Sequence, residues 1–524
     1  MSILSLKSFI LTFCLVLLII TERSLVAGSP LDTLFPLENY DQTIAAWISP
    51  TDAYYDQELL SDTIKEYRKE ELYQHFFGAL SPWDAAHIAA VLKGNIKQEE
   101  EVLLRTHSNP NNPYYREDIN HAVPYPFDWL KEIKENINLS QFDSLIYDSS
   151  KRGITVTNLA ARVLPTTQPA FLNPTLPGEG YPFDYLQMSA LWVGTPIYIL
   201  GTTQDGAWDL VLTPDYIAWV KSDGIAVANQ EFINTWSEAA KHQLIAITKT
   251  GATLLDSQGE PLQAYVGSFF PRATSSHLEN SLDIMLPVTD ENHHASIKIS
   301  SVAPDQSAPI PLSLTPHHMA DIISTMIGRP YGWGGVEFYN DCSAELKSLF
   351  TPFGIYLPRH SSDQITIGKM IDRSSLLPRE RLSYLMDQGK PFLSLIYIGG
   401  HVILYIGSYS NPYDSNSFMA MTYQNLWGLR PNASYPDRRS IIGQSAFFPL
   451  LLEYPEDSTL VSLANKQVFK VCDLSQLPSS DSSNFNINGS LINLMIGNPW
   501  IQPGKTNSSV NLKSLMYPEH IYRN

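Results

Sequence analysis

The spacing of apolar and polar positions divides the chain into stretches of different character. Residues 29–150 read as helical. Asp52 to Phe77 is rich in Glu, Leu, Lys and Tyr, and Trp83 to Val102 continues in the same way. Asn109-Pro-Asn-Asn-Pro113 interrupts the pattern, and Pro126-Phe-Asp-Trp-Leu-Lys-Glu-Ile-Lys starts a short helix with proline and aspartate near its N-terminus. From about 151 the period becomes two. Ile154-Thr-Val-Thr, Pro196-Ile-Tyr-Ile-Leu, Trp208-Asp-Leu-Val-Leu and Tyr216-Ile-Ala-Trp-Val220 are short strands separated by turn residues such as Gly201-Thr-Thr-Gln-Asp-Gly206, which predicts a small β-barrel. A second β-rich block runs from Gln243 to Val302, with strands at Leu244, Ala252, Ile284 and Ser296. Ala303-Pro-Asp-Gln-Ser-Ala-Pro-Ile-Pro311 reads as a linker.

A mixed α/β segment follows. Helices are expected over His318–Ile327 and Ser343–Phe353, and strands over Pro391–Ile398, His401–Ile406 and Ser417–Tyr423. Beyond 450 no element is assignable, and Ser479 to Ser490 is polar and loop-like. The resulting division is 1–28, 29–150, 151–235, 236–305, 306–450 and 451–524. A chain of 524 residues exceeds one ordinary core and requires several domains.

Composition narrows the picture. Apolar content of 44% and charged content of 17% are those of a globular protein, and a net charge of −18 argues against a nucleic-acid partner. Residues 1–28 have the form of a secretory signal: Lys7, then an apolar run from Phe9 to Ile20 too short for a comfortable membrane span, then small residues at Val26-Ala27-Gly28 before Ser29. Export to the periplasm or beyond is therefore expected, with no membrane attachment of the mature form. Cys14 lies inside the apolar run and lacks the small residues that would precede a lipidated thiol. Cys342 and Cys472 then remain, in contexts so different that a disulfide between them is not expected. No Cys/His cluster has zinc-ligand spacing, and the adjacent pairs His293-His294 and His317-His318 read as solvated, so neither a metal nor another cofactor is expected.

Cys342 carries the chemistry. It opens a predicted helix, where the positive end of the helix dipole favours a thiolate. His401, after Gly399-Gly400, stands at the entrance of a predicted strand and supplies a base. Around them run Gly328-Arg-Pro-Tyr-Gly-Trp-Gly-Gly335, Asp341-Cys342-Ser343, Leu357-Pro-Arg-His-Ser-Ser-Asp-Gln364 and Gly400-His401-Val-Ile-Leu-Tyr-Ile-Gly407. These linked motifs resemble the NlpC/P60 family of cell-wall cysteine peptidases. Arg162-Val-Leu-Pro165 and Pro182-Phe-Asp-Tyr-Leu-Gln187 resemble the first bacterial SH3-like module of a multidomain branch of that family. The resemblance implies a multidomain fold class: an α-helical N-terminal cap, two small SH3-like β-barrels and an α+β papain-like catalytic domain. It leaves residues 451–524 without a role.

The resemblance also implies roles. Cys342 is the nucleophile and His401 the base. A third polar residue orients the imidazole; relatives place a histidine three residues before a Trp-Gly pair, and here Gln424 occupies that position before Trp427-Gly428, with Asn425 as the alternative. The substrate is a peptidoglycan stem peptide, cut between γ-D-glutamate and the diamino acid, with a free N-terminal L-alanine. Asp341 would bind its ammonium, and Tyr331, Trp333, Ser343 and Ser361 would line the peptide site. Asp184 and Tyr185 would contribute from the barrel. His360 follows Arg359 where relatives carry a small polar residue, and it is not the expected base. Two competing readings stand: an amidase or acyltransferase using the same Cys-His pair, and a non-catalytic binder of wall peptides. Oligomeric state and the preference between meso-diaminopimelate and lysine are not legible.

Overall fold

The computed structural model describes residues 32–478 apart from 109–113, 118–121, 127, 175–178, 256–258, 274–281 and 433–438. The expected signal over 1–28 and the polar stretch 479–490 lie outside the described residues. No helix among the described residues is long and apolar enough to cross a membrane.

The mixed segment builds a seven-stranded sheet in the order Asp32–Leu34, Arg439–Leu450, Asp414–Leu429, Val402–Asn411, Ser394–Tyr397, Lys470–Asp473, Lys369–Asp372. Only the first pair is parallel. Leu395 to Tyr397 and Val402 to Ile406 are unbroken apolar runs, as strands buried on both faces require. They share one core with the helices Pro316–Met326, Cys342–Phe350 and Pro378–Gln388. Phe35, Tyr40, Ile48 and Leu60 also join this core, and the Trp47 ring meets Tyr409 edge-on at 5.1 Å.

The first barrel region is a seven-stranded antiparallel sheet ordered Ile225–Val227, Arg152–Thr155, Pro196–Thr202, Trp208–Leu212, Ile217–Lys221, Leu159–Arg162, Gln187–Leu191. The helices Ala85–Val91, Ile96–His107 and Leu130–Ile137 pack into the same core. In the second module Leu244–Ile247 lies between Phe269–Pro271 and Ser307–Ile310, with two flanking hairpins. The helix Gln230–His242 contributes Phe232, Ile233 and Trp236 to that module's core, together with Phe76 and Phe77 from the N-terminal helix Asp62–Phe76.

The structure thus divides the residues differently from the boundaries read in the sequence. Residues 29–150 do not form one cap: their apolar side chains are shared among three cores, because helices of this length draw most of their stability from what they pack against. The supposed linker contains the strand Ser307–Ile310; its prolines are tolerated because this is an edge strand, where a missing N–H breaks no inner ladder. The boundary at 235 falls inside a helix. Residues 451–474 pack into the core of the large sheet, and Lys470–Asp473 joins the sheet itself, paired on both sides. A four-residue strand has too few positions to show a period.

Candidate active site

The Cys342–Phe350 helix is capped by Asp341, whose Oδ1 accepts the Ala344 N–H at 3.0 Å. The same oxygen accepts from the Ser343 hydroxyl at 3.1 Å and from the Arg359 guanidinium at 3.1 Å. Its Oδ2 accepts from Arg359 at 2.6 Å and from the Gly334 N–H at 3.1 Å. Arg359 also donates to Ser343 Oγ at 2.7 Å and to Ser189 Oγ of the barrel at 2.8 Å. The arginine therefore ties the start of the helix to the neighbouring barrel, and its charge holds the buried Asp341 carboxyl below its ordinary value against the upward pull of burial.

Both Asp341 oxygens accept from donors within the protein, five in all, so a substrate ammonium at this residue would have to share them. Ser343 is likewise committed, as donor to Asp341 and acceptor from Arg359. Asp184 is no more available: buried at 3% exposure, it pairs with Arg162 at 2.5 Å and accepts the Ala170 and Leu186 N–H groups. It holds its own loop together. The side chain of Tyr185 is half-buried, with its ring 6.1 Å from Tyr114.

Gly334 and Gly335 both have positive φ, +59° and +79°. A Cβ on Gly334 would stand 2.4 Å from the Gln187 carbonyl oxygen, and one on Gly335 would stand 2.5 Å from the Ala190 nitrogen. Gln187 Nε2 donates to the Gly334 carbonyl at 3.0 Å. The pair of glycines lets the loop before the cysteine lie directly on the barrel strand. Above it, the Phe183 ring approaches Trp333, Trp427 and Tyr331 at 5.4, 5.4 and 6.3 Å. Trp333 is 36% exposed at this aromatic rim, whereas Tyr331 is buried. Ser361 is buried at the start of the Ser361–Gln364 helix.

His401 ends a tight turn in which Gly399 and Gly400 have φ of +76° and +88°. Its Nε2 lies 2.7 Å from Gln424 Oε1. The Thr422 hydroxyl donates to the Phe448 carbonyl, so its oxygen accepts from Gln424 Nε2 at 2.9 Å. That contact fixes the glutamine amide with its oxygen toward the imidazole. Nε2 of His401 therefore carries the proton and Nδ1 is the free base. Asn425 projects to the opposite side of the strand and donates to the Asn340 carbonyl at 2.8 Å.

The Cys342 sulfur accepts from the N–H groups of Val402, adjacent to His401, and of Ser343. Burial, and then the Asp341 charge, push its thiol up to about 12, against these N–H groups and Arg359. Burial pushes the His401 imidazolium down to about 4, with the Gln424 contact opposing. Both groups are neutral at pH 7. Cys342 and Cys472 are free thiols. Among the described residues no cluster of His, Cys, Asp or Glu is arranged to hold a metal ion.

Some features of the site were not anticipated. Arg359 stood inside a recognised motif without an assigned role. Glu179, in the barrel loop leading to Phe183, has no ion pair within 4 Å among the described residues, and burial pushes its carboxyl up to about 7 against the pull of Arg439. The buried His360 Nε2 and Gln364 Oε1 have no hydrogen-bond partner among the described residues.

Comparison with known proteins agrees with this architecture. The profile of an SH3 domain (SH3b1 type) matches residues 169–221. A gamma-D-glutamyl-L-lysine dipeptidyl-peptidase of Bacillus cereus (strain ATCC 10987 / NRS 248) is 32% identical over 91 residues, 17% of this chain. The chain spans 26% of that relative's length. An NlpC/P60 endopeptidase from Photobacterium damselae subsp. piscicida superposes with a TM-score of 0.72 at 28% identity, covering 86% of this chain and 100% of that one. The SH3b1-type module, the 91-residue sequence match and a fold common to most of the chain make this protein similar to NlpC/P60 peptidases, with SH3b-type domains ahead of a papain-like α+β domain.

Proposed function

We propose that this protein is an exported cysteine peptidase that cuts the γ-D-glutamyl–diamino acid bond of peptidoglycan stem peptides. The observation that carries the reading is the buried thiol at a helix N-terminus, with its sulfur against the N–H group next to His401 and that imidazole fixed by Gln424 with Nδ1 unprotonated.

The pair starts neutral. As the Cys342 sulfur attacks the amide carbonyl carbon, its proton passes to His401 Nδ1. The carbonyl oxygen takes the negative charge and faces the Cys342 N–H at the start of the helix. The imidazolium then protonates the leaving amine, the C–N bond breaks, and a thioester remains. Water, deprotonated by His401, hydrolyses the thioester, releasing the acid and restoring the thiol. Gln424 steers the imidazole without neutralising it, so the imidazolium is stabilised less than a carboxylate would stabilise it.

Trp333 and Tyr331 line the approach under Phe183, with Ser361 deeper in the site. With Asp341 and Asp184 engaged, Glu179 is the carboxylate we assign to the N-terminal ammonium of the substrate, since a buried ammonium needs a counter-charge. The test is mass spectrometry of L-Ala-γ-D-Glu-meso-diaminopimelate incubated with the purified protein, beside Cys342→Ala and an N-acetylated peptide. Release of L-Ala-D-Glu from the free-amine peptide alone, and only with Cys342 present, is expected. Absence of cleavage of this peptide and of longer stems would overturn the reading in favour of a non-catalytic binder.

A further inference from the structure

Glu345 lies one turn along the helix from Cys342 and is 1% exposed. A buried carboxyl group is costly unless hydrogen bonds satisfy it. Here three neutral side chains donate to it. Oε1 accepts from the Tyr423 hydroxyl and from the Ser445 hydroxyl, the latter at 2.8 Å. Oε2 accepts from the Asn340 amide at 2.8 Å. Burial pushes the carboxyl up, against these three contacts and the Arg329 charge.

The three partners come from different parts of the site. Tyr423 immediately precedes Gln424 on the strand Asp414–Leu429, Ser445 stands on the neighbouring strand opposite Asn425, and Asn340 lies two residues before Cys342. The Asn340 carbonyl in turn accepts from the Asn425 amide at 2.8 Å and from the Gly332 N–H at 2.9 Å, between Tyr331 and Trp333. One carboxyl thus joins the helix that carries the nucleophile, the strand that carries the partner of His401, and the loop that lines the approach. Residues three apart on a helix are neighbours on its surface, so a rotation that moves Glu345 moves Cys342 with it. An apolar side chain could fill the same space, but packing is non-directional, whereas hydrogen bonds to both carboxyl oxygens fix the rotation.

We propose that Glu345 is a positioning residue that sets the Cys342 sulfur in register with His401 by fixing the rotation of the catalytic helix against the Gln424 strand. Gln424 holds the imidazole and Glu345 holds the helix, so both halves of the pair are oriented from the same strand. This inference rests on the reading of Cys342 and His401 as the reacting pair. The hydroxyls of Tyr423 and Ser445 can accept as well as donate, so a glutamine at position 345 keeps all three hydrogen bonds, whereas a leucine keeps none.

The test reads two rates on folded protein at neutral pH. One is iodoacetamide labelling of Cys342, followed by peptide mass spectrometry, with His401→Ala as the floor. The other is turnover of L-Ala-γ-D-Glu-meso-diaminopimelate. Glu345→Leu is expected to lower kcat by about tenfold or more with KM within about twofold of wild type, and to bring labelling close to the floor. Glu345→Gln is expected to restore both rates. A Glu345→Leu protein that unfolds at lower urea yet labels and turns over like wild type overturns the inference, because a residue that only stabilises the fold moves the midpoint alone. Where Glu345→Leu does not fold, Tyr423→Phe decides by the same rates: a fall in both supports the inference and no change overturns it. Wild type that labels above the floor but cleaves no peptide overturns the substrate assigned above and leaves the labelling comparison to decide this inference. Wild type that labels no faster than His401→Ala overturns the pair, and this inference with it.

Discussion

At the scale of single residues, the site is set by what burial does to two groups of opposite type. Taking Cys342 and His401 out of water disfavours the charged form of each, so both are neutral where a free thiolate–imidazolium pair would be charged. The sign for activity follows directly. A protonated imidazole cannot accept the thiol proton, so kcat/KM falls as pH drops through the His401 value of about 4. Because Glu179 is expected to lose its charge as pH falls through about 7, the His401 limb is read in Glu179→Gln, where a flat profile from pH 5 to 8 is expected and an acidic limb near 6.5 would show that the imidazole is not desolvated as described. Gln424→Leu removes the acceptor for Nε2–H and frees the ring to turn; a fall in kcat of roughly 100-fold with little change in KM is expected from steady-state kinetics. Arg359→Met leaves the Asp341 carboxylate buried without its partner. Urea melts are expected to show a loss of about 3–5 kcal/mol, and an unchanged midpoint would mean that Asp341 is solvated.

At the scale of elements, the Gly334-Gly335 loop is the joint between barrel and catalytic helix. Gly334→Ala combines a positive φ with a Cβ 2.4 Å from the Gln187 carbonyl oxygen, and backbone cannot give way there as a side-chain tip would. A cost of about 1–3 kcal/mol is expected, with faster proteolytic nicking between barrel and catalytic domain as the readout. This joint also shows what pattern reading can reach. The glycines and Arg359 were recognised as motif members, but their task concerns a barrel strand some 150 residues away, and no local period encodes that contact.

At the scale of the whole molecule, domains delimited by sequence are sewn together by their ends. Arg68, in the N-terminal helix, donates to the Leu474 and Gln476 carbonyls, and Asp32–Leu34 pairs with Arg439–Leu450. A chain ending at residue 450 lacks Lys470–Asp473, and the strands Ser394–Tyr397 and Lys369–Asp372 lose their shared neighbour. Such a truncation is expected to be insoluble or to show no cooperative melt in circular dichroism. A cooperative melt would show that the C-terminal segment is an accessory to the sheet.

What the amino-acid order determined by itself is whatever acts over a few residues. The period-two stretches around Pro196, Trp208 and Leu244 became strands, and Asp341 before Cys342 made an N-cap, because alternation and capping are local physics. Tertiary structure alone decided the rest. Asp341 and Asp184 carry the right charge for an ammonium, yet each is paired with an arginine that folding brings alongside. Charge is a property of the residue, but whether that charge remains available depends on which partners the fold delivers to it, and those partners lie far away along the chain.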